Sequence, residues 1–249
     1  MTSLSTRYNI YLSDHPGFGE SPSPHRLSSA ADEDSIDSDD SLALRVQASA
    51  ALFKHWEMAS PPYVVAHDNA EFVSLRLLLQ HDIKLANLCL IDVVAIGPFG
   101  LPLFQLVAEN ESVFAAIAPR FVEGFVRVYV TSAAYRPLPD GIEDMLSAPW
   151  LVNGNQGCEK FLKEMVQGHF RNTDDIENEY GRVGSQLPTK IIWGKEDAWI
   201  PAETAQRLQK ALKAEEVVVV EEGGHLIQYD QPSRLALEVG LWLAKHSKK

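Results

Sequence analysis

The strongest constraint on the fold of this chain is a rhythm. Short apolar runs alternate with longer amphipathic ones, and the alternation breaks off once before it resumes. Tyr8–Leu12, Tyr63–Ala66, Leu88–Ala95, Thr189–Trp193 and Glu216–Val220 read as strands. Ser41–Met58, Glu71–Gln80, Glu203–Lys213 and Ser233–Lys245 place apolar residues at helical spacing. Such alternation implies a parallel sheet, because a strand returns in the same direction only through a crossover. Leu88–Ala95 is apolar except for Asp92, as befits a strand buried on both faces. From Gly97 to about Val183 strands disappear. Helical segments rich in Phe, Val, Leu and Ala take over, broken at Pro137-Leu138-Pro139 and Asn153-Gly154-Asn155. The expectation is an α/β core made of residues 1–96 and 186–249, with a helical cap, 97–185, inserted between two strands.

Charge and composition narrow the function. A net charge of −12 argues against a nucleic-acid surface, which needs clustered Lys and Arg. Much of the acid lies in one run, Asp32-Glu33-Asp34-Ser35-Ile36-Asp37-Ser38-Asp39-Asp40. The run lacks the central Gly and the closing Glu of a calcium loop, so it reads as a solvated loop. No apolar stretch is long enough to cross a bilayer, and the N-terminus lacks the apolar core of a signal peptide. Cys89 and Cys158 form no metal-ligand spacing, and neither a metal nor a cofactor is expected. The C-terminus, Ser247-Lys248-Lys249, lacks the final Leu of a peroxisomal address. A cytoplasmic location is the expectation, with a peroxisomal one as the alternative.

Three turns follow predicted strands at their C-terminal ends, where open α/β sheets bind ligands. Ala66-His67-Asp68-Asn69-Ala70 passes from strand to helix with small residues two before and two after Asp68. A turn that abrupt brings helix and strand backbones close and lifts its central side chain above the sheet. The competing reading is that Asp68 caps the helix. Trp193-Gly194-Lys195-Glu196-Asp197 and Glu222-Gly223-Gly224-His225 follow the last two strands. Asp197 by itself could be a turn former, and His225 by itself a structural histidine. The order Asp68, Asp197, His225 is that of nucleophile, acid and histidine.

These motifs resemble the α/β-hydrolases, and within them the epoxide hydrolase and haloalkane dehalogenase branch, whose elbow carries Asp. The resemblance includes Asp14-His15-Pro16-Gly17-Phe18-Gly19-Glu20-Ser21, the Asp68 elbow, the helical insertion, the Asp197 turn and Gly224-His225. It implies a cofactor-independent hydrolase of a small apolar electrophile, using water. Asp68 would attack saturated carbon to form an alkyl-enzyme ester, which suits a carboxylate better than acyl transfer does. His225 would be the general base on the hydrolytic water, steadied by Asp197. Asn69, through its backbone N–H, and His67 would serve the oxyanion or the substrate. Tyr129, Tyr135 and Tyr180 are the cap tyrosines that could protonate an epoxide oxygen, and Trp150 is a further cap aromatic.

The chain also departs from that pattern. Asn69 stands where dehalogenases of this branch carry Trp, which favours an epoxide over a halide. Asp92 is a second position for the acid. The family's earlier strands, one of which supplies the other oxyanion N–H, have no counterpart before Tyr8. An N-terminally truncated sheet, an incomplete oxyanion hole and impaired turnover are therefore expected. Two other functions stay open: ester, lactone or carbon–carbon hydrolysis with Asp68 as base, and a degenerate fold that only binds.

Overall fold

The computed structural model describes residues 2–22, 42–97, 102–151, 155–167 and 175–247. The acidic run at 32–40 lies outside the described residues. So do the Asp40 and Ser41 caps expected for the first long helix.

The elements run α1 (Thr2–Ser5), α2 (Leu42–His55), β1 (Tyr63–His67), α3 (Ala70–Leu79), β2 (Asn87–Ile91), α4 (Pro102–Glu109) and α5 (Glu111–Ala115). Then come α6 (Pro119–Ser132), α7 (Ile142–Leu151), α8 (Asn155–Gln167), a 3-10 turn (Glu177–Arg182) and α9 (Val183–Gln186). The chain closes with β3 (Thr189–Gly194), α10 (Glu203–Leu212), β4 (Glu216–Val220), α11 (Ile227–Asp230) and α12 (Pro232–His246). Among the described residues the sheet has four strands in the order β1-β2-β3-β4, all parallel.

Period-two side chains sort the sheet into two apolar layers. Ala66, Leu88, Leu90, Ile191 and Trp193 face one way, against Leu75 and Leu79 of α3 and Leu208 and Leu212 of α10. Cys89, Ile91, Ile192 and Val220 face the other way, against Val239, Trp242 and Leu243 of α12. The central strands β2 and β3 are buried at every residue, as their continuous apolar sequence requires. Lys190 in β3 is an exception in type. It is 2% exposed, and its Nζ donates to Glu238 Oε2 on α12 at 2.7 Å. The helices between β2 and β3 bury a third cluster, in which Val122, Val126, Phe161 and Met165 pack on one another. Among the described residues no helix is long and apolar enough to cross a membrane.

Two expectations fail locally. Tyr8–Leu12 is not a strand: Asn9–His15 is irregular, and Ile10, Tyr11 and Leu12 are exposed. An isolated extended segment has no ladder to join, since its carbonyls and amides need a neighbour. Tyr8 instead sets its ring edge-on to Tyr63 at 6.1 Å and shares a hydrogen bond with Ser247 at 2.9 Å. The strand expected over Leu88–Ala95 ends at Ile91, because Asp92 turns to a φ of 43°.

The end of β3 is held by backbone against backbone. A Cβ at Gly194 would lie 2.4 Å from the carbonyl oxygens of both Gly223 and Gly224. Those neighbours are main chain and cannot swing aside. Gly194→Ala is expected to lower stability in urea unfolding by about 1–3 kcal/mol, as overpacking does. An unchanged midpoint would show that this contact is not a constraint.

Candidate active site

Asp68 sits at the apex of the β1–α3 turn with φ at 52°, a left-handed conformation uncommon for a non-glycine residue. That conformation removes the capping reading. The residue before α3 is Asn69, and it makes no side-chain capping bond. The Asp68 carboxylate turns instead toward His225, with Oδ1 3.6 Å from Nε2. This is longer than a hydrogen bond, so the contact is one of charge. Burial alone would raise the Asp68 pKa. His225, then His67 and the Asn69 backbone N–H that reaches the carboxylate, outweigh burial and hold it below the usual value.

His225 is 1% exposed. Its Nδ1 donates to Asp197 Oδ2 at 2.9 Å. The other oxygen of Asp197 accepts the backbone N–H groups of Trp199 at 2.8 Å and Ile200 at 2.9 Å. Asp197 is thus both turn former and histidine partner. Burial would lower the His225 pKa, but Asp197 and Asp68 outweigh it and push the pKa up to about 10. The resting ring is an imidazolium between two carboxylates. Asp92 is not its partner: Oδ1 accepts the Gly194 N–H at 2.6 Å, and Oδ2 is buried without a partner. Burial lifts the Asp92 pKa well above the ordinary range, which favours its neutral form.

The loop bearing His225 is clasped from outside. Asp230 accepts the N–H groups of Gly224 and Tyr135 through Oδ2 and that of Arg136 through Oδ1, each at 2.9 Å. A Cβ at Gly224 would lie 2.6 Å from the Tyr135 nitrogen, which explains the glycine. Tyr135 therefore contributes main chain. Its ring is 48% exposed and does not line the site, contrary to the expectation for a cap tyrosine there. Tyr180 is also outside the site: it is buried and donates to the Ala95 carbonyl at 2.6 Å.

His67 also lines the cavity, and its ring reaches the loop that carries His225. Its Nε2 lies 2.8 Å from the His225 carbonyl oxygen. A carbonyl only accepts, so the proton is on Nε2. Burial first, and then the charge of His225, lower the His67 pKa and keep the ring neutral.

Above these groups lies a cavity of about 810 Å³. Asp68, Asn69 and His225 form its floor, and Tyr129 and Trp150 line it from the inserted helices. Burial, then the Asp68 carboxylate, raise the Tyr129 pKa, so the phenol keeps its proton. Trp199 went unnoticed in the sequence. Its ring stacks on His225 at 4.9 Å and 30°, and on Tyr129 at 4.3 Å. Its position two residues after Asp197 was the available signal. Among the described residues no cluster of three His, Cys, Asp or Glu groups could hold a metal ion.

Comparison with known proteins agrees with this architecture. The sequence model of the alpha/beta hydrolase family matches residues 1–239. A crystal structure of an alpha/beta hydrolase fold protein from Burkholderia ambifaria superposes with a TM-score of 0.78 at 30% identity, covering 91% of this chain and 77% of that one. A haloalkane dehalogenase from Bradyrhizobium elkani has the same fold, with a TM-score of 0.69 at 17% identity over 94% of this chain and 79% of that one. Among curated sequences, the acetyltransferase component of an acetoin cleaving system from Pseudomonas putida is 25% identical over 98% of this chain. Lipase 1 of Psychrobacter immobilis is 24% identical over 88% of it. The chain spans 58% of the first and 63% of the second.

The pH dependence of stability follows from His225. Its folded pKa of about 10 lies above the ordinary 6.5, so its contribution is complete below pH 6.5 and is lost as pH rises through 10. Urea midpoints of the wild type are expected to fall across that window, and those of Asp197→Asn to fall less. Parallel curves would remove His225 as the cause.

Proposed function

We propose, from the premise that the chain belongs to the α/β-hydrolase family, that it is an epoxide hydrolase-like enzyme working through an ester on Asp68. The observation that carries this reading is the left-handed elbow that turns the Asp68 carboxylate to His225 under a half-open, largely apolar cavity. A carboxylate attacking a carbonyl would form a labile anhydride, whereas at saturated carbon it forms an ester that can be hydrolysed.

In the first step one Asp68 oxygen bonds to a ring carbon of the epoxide and the carbon–oxygen bond of the ring breaks. Tyr129 supports the role of acid, because it lines the cavity with its phenol protonated and gives that proton to the ring oxygen. Esterification removes the negative charge of Asp68 from beside His225. One of the two carboxylates that raise the His225 pKa is then gone, so the ring gives its proton to solvent, taking one back once Asp68 is free again, and becomes a base. His225 next takes a proton from water, and the hydroxide adds to the Asp68 carbonyl carbon. The Asn69 N–H, already directed at this carboxylate, steadies the oxyanion. The intermediate collapses, His225 protonates the departing diol oxygen, and the second water proton returns to Tyr129. One Asp68 oxygen leaves in the product.

The lipase relative favours a second reading, ester cleavage with Asp68 as a base. A single turnover in ¹⁸O-water separates the two. The ester route puts the label into Asp68 and unlabelled oxygen into the product, whereas the base route labels the product. With a small apolar epoxide such as styrene oxide, Asp68→Asn is expected to lower kcat by at least about a thousandfold. His225→Gln should accumulate a protein heavier by one substrate in mass spectrometry. Full activity in Asp68→Asn would reject the nucleophile.

A further inference from the structure

The lining of the cavity over Asp68 includes polar groups that the reaction above does not use. Arg45 of α2 lines it together with Leu42, His15, Phe18 and Glu164. The Arg45 side chain is 8% exposed, and its guanidinium carbon lies 4.8 Å from the centre of the Phe18 ring. Its Nη2 donates to Glu164 Oε2. Its Nε–H is buried and has no acceptor. Guanidinium is a five-donor group shaped to grip a carboxylate by two parallel bonds. One carboxylate oxygen leaves that capacity largely unused.

The neighbours add to the positive side. Lys160 Nζ lies 3.8 Å from the centre of the same Phe18 ring and donates to the Gly17 carbonyl. His15 is kept neutral, by burial first and then by the charge of Arg45. Asp14 is also near His15, but it is exposed and receives the Glu20 N–H at 3.0 Å. Two cations thus flank the Phe18 ring, one of them paired with the Glu164 carboxylate, and the lining of the same cavity also holds Asp68. In a low-dielectric cavity this polarity both attracts and orients an anion.

We propose that Arg45 anchors a carboxylate at the far end of the substrate, so that the enzyme acts on an apolar electrophile bearing an acid group. Repulsion by Asp68 keeps the acid from binding in reverse and leaves the electrophilic carbon over the elbow. Glu164 holds the guanidinium while the cavity is empty. The inference rests on the cavity being the substrate site, but not on the alkyl-enzyme chemistry.

The test is equilibrium binding, by calorimetry, of two unreactive probes of equal shape, 4-phenylbutanoate and 4-phenylbutanamide, to the full chain. The acid is expected to bind about tenfold tighter than the amide. Arg45→Met should remove that preference with little change for the amide, and Glu164→Gln should strengthen acid binding. Because Arg45→Met removes only the guanidinium and keeps the Glu164 charge, Arg45→Met/Glu164→Leu provides a variant without either charge. Equal binding of the two probes to the wild type, no binding of either, or a preference that survives both Arg45 variants would overturn the proposal. Failure of the ester chemistry alone would leave the acid preference intact and remove only the mass adduct on Asp68.

Discussion

The top of the sheet depends on main chain touching main chain at Gly194. β3 and the loop after β4 approach until the Gly194 Cα lies against the Gly223 and Gly224 carbonyls. The Gly223 carbonyl also accepts the Glu196 N–H at 2.9 Å. That approach sets the spacing of the Asp197 turn from the His225 turn, and with it the 2.9 Å contact between the two side chains. Asp92 reinforces the same point from β2 by receiving the Gly194 N–H. Three consecutive strand ends are therefore coupled through one glycine, and a fourth is coupled through His67, which reaches the His225 carbonyl from β1.

With the loops fixed, electrostatics follow from how few charges the enclosure tolerates. Asp68, Asp197, Asp92 and Glu71 all lie at or behind the elbow. The first two share the His225 ring, whereas the charges of Arg76 near Glu71 and of His225 near Asp92 do not offset burial. Glu71 is fully buried, with both oxygens unpartnered, and burial and the charge of Asp68 raise its pKa well above the ordinary range. Burial likewise raises the Asp92 pKa. Burial thus pushes Glu71 and Asp92 toward their neutral forms while Asp68 and Asp197 face the His225 ring, since desolvated like charges cannot accumulate. The ring is covered by Trp199, which also carries the face of Tyr129. The inserted helices meet the sheet through that aromatic stack as well as through their own apolar cluster.

The fold and the three turns at the C-terminal ends of the strands were readable in the sequence because each is a local matter. Period-two apolar runs dictate which residues of β2 and β3 face each layer. Small residues at Ala66 and Ala70 permit a strand-to-helix turn at Asp68 whatever lies elsewhere. The spacing within Trp193–Asp197 and Glu222–His225 likewise concerns a few neighbouring residues. The Tyr8–Leu12 segment misled because β propensity describes a residue's fit to a sheet, not whether a neighbouring strand is there to pair with. Tyr135 misled because its main chain, rather than its ring, is what the His225 loop needs.

What the sequence alone determined is the set of elements, the chain order of Asp68, Asp197 and His225, and the α/β class to which they belong. Tertiary structure decided which distant side chains meet. It chose Asp197 over Asp92 for His225, Tyr129 over Tyr135 for the cavity, and it brought Arg45 and Glu164 together across 119 positions. It also decided which carboxyls burial pushes toward the neutral form. Periodicity encodes the face a residue presents within its own element, whereas partnership and burial depend on how separate elements pack, and that information is shared among segments far apart in the chain.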